Sequence, residues 1–243
     1  CAAPILLDEA QQKVIKMSSY YYIGHFSRYI RRGAYALAVK MEDVREACGY
    51  VSASATPVEA PKVALTFDDG PSAAWTPALL DGLKERGVKA TFFLIGENAD
   101  KNPEIVKRMA EEGHLIGNHT YHHVELTKVS ENEARLELAD TSAAIVRITG
   151  KEPEYMRPPF GAWQRKLEQE IQMLPVLWTI DPLDWTTENQ DEIVNKVVTE
   201  AEENDIILLH DCYKSSVEAG LRIIDILQEE GFVFVTVDEL LLN

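Results

Sequence analysis

The chain has 243 residues, 46% of them hydrophobic, so it can bury a full core and form one α/β domain of ordinary size. Its 24 Lys and Arg against 40 Asp and Glu give a formal net charge of -16, which argues against nucleic acid or anionic lipid as partners and favours a neutral substrate. Because no apolar run reaches the roughly 20 residues that span a bilayer and no signal segment opens the sequence, we expect a soluble chain, cytoplasmic or already processed.

The cysteines are an odd number without metal-type spacing, and they decide little about the cellular compartment: Cys1, Cys48 and Cys212. Cys1 has two interpretations. It is either an interior residue of a longer polypeptide or the lipid-modified first residue of a mature lipoprotein. The second is less favoured, because APILLDE follows at once where such proteins usually carry a polar tether.

Residues 1–60 differ in composition from the rest of the chain and are predicted to be an N-terminal extension and linker. Residues 18–34, SSYYYIGHFSRYIRRGA, are aromatic and basic, whereas residues 52–61, SASATPVEAP, are small and proline-bearing like a linker. One interpretation is a small cap on the main domain. Together with APILLDE, the aromatic stretch also resembles the C-terminal part of glycoside hydrolase family 30 enzymes. That resemblance implies an upstream glycoside hydrolase on the same full-length polypeptide.

Apolar strands alternate with amphipathic helices over residues 61–243, where we place the main domain. The predicted strands cover residues 63–67, 90–95, 115–117, 155–156, 175–180, 206–209 and 232–237. Seven βα repeats predict an α/β fold with a parallel sheet curled into an incomplete or distorted barrel, with function at the carboxyl ends of the strands.

Helix boundaries have local signals. Asn102 followed by Pro103 predicts a helix start, and Ser130 with Glu133 predicts a capping box for a long helix that ends at Gly150. Two further helices are predicted over residues 191–204 and 216–230.

Two adjacent carboxylates follow the first strand of this domain directly. These are Asp68 and Asp69, and Gly70 and Pro71 then end the strand. Because neighbouring side chains leave a strand in different directions, one carboxylate can hold a cation while the other faces a reacting water. The alternative interpretation is a solvated Asp-Gly-Pro turn.

A histidine cluster, NHTYHH, follows the third predicted strand. His119 and His123 are four residues apart, which brings two imidazoles to one side in either a helical turn or a tight loop. With a carboxylate from another strand they would form a two-His, one-carboxylate site with open positions, as catalytic divalent metals require. His119 with His122 is an alternative pair, and surface histidines without a ligand role are a second alternative.

Three later strand ends also carry polar groups. Arg157, in RPPFG, can hold a carboxylate with two hydrogen bonds or can form a structural salt bridge. Asp181 and Asp184 follow the next strand beside Trp185, and an exposed tryptophan there would stack on a sugar ring. His210 ends the sixth strand, where it can act as a general acid near neutral pH.

The motifs TFDDG, HTYHH, RPPFG, DPLDW and LLHD, in this order and at these strand ends, resemble the five motifs of the polysaccharide deacetylases of carbohydrate esterase family 4. The similarity spans about residues 61–243. It implies a distorted (β/α)7 barrel and a metal-dependent hydrolase. The implied reaction removes N-acetyl groups from a β-linked N-acetylglucosamine polymer, of peptidoglycan or chitin type, and releases acetate.

The resemblance also implies a role for each candidate site residue. The metal, usually Zn²⁺ with Co²⁺ or Ni²⁺ as alternatives, would be bound by Asp69, His119 and His123. The catalytic residues would be Asp68 as general base, His210 as general acid, Arg157 orienting Asp68, and Asp181 holding Arg157 and influencing the pKa of His210. The substrate would contact the Phe160 backbone N–H at the oxyanion site, and Leu208 and Trp185 around the acetyl methyl group.

His122 departs from the family pattern, since other members tend to carry a polar or small residue there. Two alternative functions remain: an O-acetylxylan esterase with the same metal site, and a glycan-binding module whose catalysis has lapsed. The polysaccharide substrate class implies an extracytoplasmic protein, either secreted or associated with the cell wall.

Overall fold

The computed structural model of the protein describes residues 5–8, 13–16, 60–163 and 172–241. The chain divides into two compact units, Cys1–Val58 and Glu59–Asn243. In the first unit the structure describes an antiparallel hairpin of β1 (Ile5–Asp8) and β2 (Lys13–Lys16). The predicted extension and its glycoside hydrolase resemblance otherwise lie outside the described residues. They stay predictions, as does the linker at residues 52–61.

The second unit contains one parallel sheet of seven strands within its described residues. The strands are β3 (Lys62–Asp68), β4 (Thr91–Leu94), β5 (Leu115–Asn118), β6 (Tyr155–Met156), β7 (Leu174–Pro175), β8 (Ile206–His210) and β9 (Val233–Val235). Their order is β7-β6-β5-β4-β3-β8, and β9 pairs with the first half of β3. The predicted α/β fold and distorted seven-stranded barrel are therefore confirmed.

Helices connect these strands. They are α1 (Thr76–Glu85), α2 (Gly96–Lys101), α3 (Pro103–Glu111), α4 (Glu131–Thr149), α5 (Gln190–Glu200), α6 (Lys214–Glu229) and α7 (Val237–Leu241). Within the described ranges, none of the helices is long and apolar enough to cross a membrane.

Two of the predicted helix signals have different outcomes. At the start of α4 the Glu133 N–H donates to Ser130 Oγ at 3.2 Å, which is one of the two bonds of the predicted capping box, and Gly150 ends that helix with a left-handed φ of 74°, as expected. Asn102 does precede α3, but its side-chain amide donates to the Asn98 carbonyl at 3.0 Å and makes no cap. The predicted start of this helix is confirmed, and the predicted capping bond of Asn102 is wrong.

The central strand, β3, sets the position of the site. Its residues Val63–Phe67 are fully buried, and its two edges pair with β4 and β8. Asp68, the last residue of β3, lies opposite Phe93 on one side and His210 on the other. Strand β5 ends at the same edge of the sheet, where its last residue, Asn118, pairs with Met156 of β6. The carboxyl ends of these strands therefore bring the candidate motifs to one rim.

The predicted strand at residues 175–180 is the main difference from expectation. Only Leu174–Pro175 pairs as a strand, and Ile180 forms an isolated bridge to Ile207. Between them, the carbonyls of Val176 and Leu177 accept hydrogen bonds from the guanidinium of Arg157. The strand pairing therefore stops where these two carbonyls contact a buried side chain instead of a neighbouring strand.

Candidate metal and acid–base site

The side chain of Asp68 lies at the end of β3 against a buried guanidinium. Asp68 is 3% exposed and Arg157 is 0% exposed. Arg157 Nη1 donates to Asp68 Oδ1 at 2.8 Å and to Thr66 Oγ1 at 2.7 Å, and its other nitrogens donate to the carbonyls of Val176 and Leu177 at 3.2 Å each. A buried charge is tolerated only when it is paired and hydrogen-bonded, so these contacts hold Asp68 and Arg157 in one arrangement.

Aromatic rings lie close to the same guanidinium. Its central carbon lies 4.3 Å from the ring centroid of Phe93 and 5.7 Å from that of Trp178. Burial lowers the pKa of Arg157 from its ordinary value, although the Asp68 carboxylate opposes this. The second oxygen of Asp68, Oδ2, faces His119 instead, with 3.7 Å between Oδ2 and Nε2.

Three candidate metal ligands converge beside Asp68. The Oδ1 atom of Asp69 lies 3.3 Å from Nε2 of His119 and 3.3 Å from Nε2 of His123. Ligand atoms of the three residues all lie within 4.8 Å of one another. Asp69 Oδ1 is buried, yet it accepts no hydrogen bond from the described residues. An orphaned carboxylate oxygen facing two imidazoles fits a divalent metal ion, which would satisfy all three.

The protonation states of these ligands suit metal binding. His119 Nδ1 lies 2.6 Å from the carbonyl oxygen of Arg157. Because a carbonyl only accepts, Nδ1 carries the proton and Nε2 presents a lone pair toward Asp69. Burial lowers the pKa of His123, which favours its neutral form. Burial alone would raise the pKa of Asp69, but His119 and the nearby imidazoles hold it below its ordinary value.

The histidine loop has unusual backbone conformations. Thr120 and His123 have positive φ angles of 63° and 58°, and Asp69 has a φ of 71°. Left-handed conformations are uncommon outside glycine and cluster at functional sites. The spacing of His119 and His123 therefore acts through a tight loop, one of the two geometries that the sequence allowed.

His122 points away from the three ligands. Its Nδ1 lies 2.8 Å from Glu137 Oε1, its backbone N–H donates to Glu137 Oε2 at 2.8 Å, and its side chain is 60% exposed. The hydrogen bond with Glu137 raises the pKa of His122. Of the two histidine pairs considered, the structure gathers His119 with His123. Sequence reasoning missed Glu137, which lies on α4 and has no signal in the loop itself.

His210, the predicted general acid, is held by a carboxylate. Asp184 accepts the His210 backbone N–H at 2.9 Å, and its other oxygen lies 2.7 Å from His210 Nδ1. Burial opposes the charged imidazole, but the hydrogen bond and charge of Asp184 outweigh it and raise the pKa of His210 to about 9. His210 is therefore protonated at neutral pH.

The prediction for Asp181 needs a correction. Asp181 Oδ1 accepts the backbone N–H of Leu183 at 2.8 Å, and the described hydrogen bonds of Arg157 do not include Asp181. The cause is local: Leu183 has a φ of 56° and precedes a 3-10 turn, Asp184–Thr186, which directs Asp184 toward β8. Asp184, three residues later, is the carboxylate that reaches His210.

The loop after Asp69 is packed against Asp211, which is fully buried. Thr76 Oγ1 donates to Asp211 Oδ2 at 2.5 Å and accepts the Ser72 N–H at 2.7 Å. A Cβ on Gly70 would lie 2.2 Å from Asp211 Oδ1, so a larger residue at position 70 would displace the loop. Burial raises the pKa of Asp211 to about 7. These contacts with Asp211 thus fix the backbone beside the candidate ligand Asp69.

The predicted substrate-binding residues lie at different depths. Phe160 is 66% exposed, adopts a φ of 60°, and places its ring 4.9 Å from that of His123. Trp185 is 57% exposed beside Asp184, whereas Leu208 is only 4% exposed within β8. The oxyanion and acetyl-pocket roles of these residues stay predictions.

We predict that His123→Ala loses metal and His122→Ala retains it. His123 presents its Nε2 to Asp69, whereas the Nδ1 of His122 lies against Glu137. Removal of an outer-shell partner typically weakens metal affinity by roughly 10–100-fold, and loss of the ligand His123 should weaken Zn²⁺ affinity at least as much. Equilibrium dialysis followed by elemental mass spectrometry measures the difference. Stoichiometric Zn²⁺ in His123→Ala together with loss in His122→Ala would reassign the ligand.

We also predict that Asp184→Asn lowers the pKa of His210 from about 9 toward its ordinary 6.5. The pair stabilises the folded protein fully below pH 6.5, and this contribution is lost as the pH rises through about 9. NMR titration of the imidazole in the metal-free protein measures the shift. Asp181→Asn is the matched control, and an equal shift in that variant would restore the original assignment.

The family model for polysaccharide deacetylases matches residues 55–177. A peptidoglycan-N-acetylglucosamine deacetylase of Bacillus cereus is 44% identical over 194 residues, which are 77% of this chain and 70% of that protein. The deacetylase PgdA of Listeria monocytogenes is 39% identical over 210 residues, 83% of this chain but only 45% of that protein. The chain therefore spans less than half the length of the Listeria relative.

A solved structure extends the comparison to the fold. The structure of the peptidoglycan deacetylase PdaC from Bacillus subtilis matches with a TM-score of 0.73 and 40% sequence identity. The match covers 75% of this chain and 90% of that one.

Proposed function

The chain belongs to the polysaccharide deacetylase family, and from this premise we propose that it removes N-acetyl groups from N-acetylglucosamine residues of peptidoglycan. The observation that carries the proposal is the convergence of Asp68, held by Arg157, with the candidate ligands Asp69, His119 and His123. The names of the relatives support peptidoglycan as the polymer and a site of action at the cell wall, outside the cytoplasm. An upstream glycoside hydrolase partner stays a prediction without support from these relatives.

The cation would be held by Asp69, His119 and His123, and Zn²⁺ suits this mixed imidazole and carboxylate set, with Co²⁺ and Ni²⁺ as alternatives. The chemistry that such an ion supplies when bound is Lewis-acid polarisation of the acetyl carbonyl.

Asp68 is the proposed general base. Arg157 occupies its Oδ1, so Oδ2 is the atom left to take a proton from the attacking water. The Arg157 contact also fixes the direction of Oδ2 toward His119, where the candidate ligands meet. We place the developing oxyanion near the backbone N–H of Phe160, where a single donor contributes on the order of 3–4 kcal/mol in other hydrolases.

His210 is the proposed general acid. Asp184 engages its Nδ1, so Nε2 is the atom left to give a proton to the departing amine. The pKa of about 9 keeps this proton in place at neutral pH. Cys212, the next residue but one, is not needed as a nucleophile, because burial raises its pKa to about 12 and keeps the thiol protonated.

The substrate class is tested by acetate release from three polymers: peptidoglycan glycan strands, chitopentaose and acetylated xylan. We expect release from the glycan strands with the highest kcat/KM, and loss of activity after chelation that Zn²⁺ restores. A preference for acetylated xylan would make the chain an O-acetylxylan esterase. Binding of glycan without release from any of the three would make it a lapsed binding module.

Asp68→Asn tests the assignment of the base. We expect kcat to fall by about 10²–10⁴-fold, the usual contribution of a general base, while bound Zn²⁺ remains stoichiometric. Asp140→Asn, an exposed aspartate on α4, is the control and should keep full activity. Retained activity in Asp68→Asn would remove Asp68 from that role.

A further inference from the structure

A cleft of about 550 Å³ lies next to the proposed acid and contains none of the candidate metal ligands among its lining residues. We call it the aromatic cleft. It is formed by the 3-10 turn that follows Asp184 and by the starts of α5 and α6. The residues that define it here are Trp185, Gln190, Tyr213, Lys214 and Glu218.

Two large aromatic side chains line this cleft and remain open to solvent. Trp185 is 57% exposed and Tyr213 is 43% exposed. The Tyr213 ring centroid lies 6.3 Å from that of His210, and Trp185 directly follows Asp184, which binds His210. Exposed aromatic surface in a concave site is typical of ligand binding, and flat apolar faces suit the C–H face of a pyranose ring.

The polar side of the cleft is fixed by Glu218. Gln190 Nε2 donates to Glu218 Oε2, and Lys214 Nζ lies 3.5 Å from Glu218 Oε1. These contacts leave the Gln190 carbonyl oxygen as an acceptor and further Lys214 hydrogens as donors. Sugar hydroxyl and acetamido groups need both kinds of partner.

The charge of the cleft disfavours an anionic ligand. Among its described lining residues are three carboxylates, those of Asp184, Glu188 and Glu218, and one ammonium group, that of Lys214. The formal net charge of the whole chain is -16. A neutral sugar meets no such repulsion, and the volume falls in the usual range of about 300–1,000 Å³ for ligand sites.

We propose that the aromatic cleft binds a neighbouring N-acetylhexosamine residue of the polymer, beyond the residue that loses its acetyl group. The inference rests on the proposed function, in which His210 protonates the amine. That amine is attached to the sugar ring, so the ring that loses its acetyl group lies close to His210, and Tyr213 in the cleft lies next to His210. Tyr213 is the residue to change, because Trp185 is also predicted at the acetyl pocket and its variants would mix two effects.

Binding of methyl N-acetylglucosaminide and of chitopentaose to the Zn²⁺-loaded protein tests this subsite, with NMR titration as the readout. Tyr213→Ala should weaken the pentamer about 3–10-fold relative to the single sugar, the usual size of one aromatic contact. Tyr213→Phe keeps the ring and should keep the wild-type ratio. An unchanged ratio, or equal weakening of both ligands, would overturn the subsite.

A second variant keeps the test valid if Tyr213→Ala misfolds. Measuring acetate release distinguishes failure of the subsite from failure of the proposed deacetylase function. If Tyr213→Ala loses its circular dichroism spectrum, Gln190→Ala should show the same selective loss for the pentamer, and absence of that loss overturns the subsite. Acetate release is measured on the same samples. Length-dependent binding without release would retain the subsite and reject the deacetylase, whereas release without a Tyr213 effect would do the reverse.

Discussion

The buried guanidinium of Arg157 is the interaction on which the site depends. It joins the end of β3, through Asp68 and Thr66, to the carbonyls that follow β7. The backbone carbonyl oxygen of Arg157 accepts from His119 Nδ1 and so fixes the proton on that ring nitrogen. Removing one partner of a buried ion pair typically costs about 3–5 kcal/mol, so neither charge can leave without disturbing the other. One residue thus positions the proposed base and sets the tautomer of a candidate metal ligand.

The proposed base and acid come from neighbouring strands. Asp68 and His210 are register partners in β3 and β8, and paired strands lie about 4.8 Å apart. Each is held from behind by an opposite charge, Asp68 by Arg157 and His210 by Asp184. These two ion pairs place the neighbouring groups in different surroundings, because Asp68 faces a guanidinium whereas Asp184 raises the pKa of His210. The pairing of β3 with β8 thus sets the distance between Asp68 and His210, and Arg157 and Asp184 set the charge beside each of them.

Much of this arrangement could be predicted from the sequence, because strand ends with polar residues need only a parallel sheet to bring them together. The sequence could not decide which of two nearby residues of the same type takes a given role. His122 and His123 are adjacent in the sequence but point in different directions. His123 has a left-handed backbone, and the His122 side chain contacts Glu137 on α4. Asp181 and Asp184 differ by the direction of one turn. The strand predicted at residues 175–180 is interrupted where its carbonyls accept hydrogen bonds from Arg157, a contact that no local pattern reveals.

The most direct test of the central claim is a crystal structure of the Zn²⁺-loaded protein with anomalous data collected at the zinc edge. We predict one peak within bonding distance of Asp69, His119 and His123, about 2.0–2.2 Å from each ligand atom, with Arg157 still bonded to Asp68. A peak at His122 and Glu137 instead, or no peak beside Asp69, would contradict it.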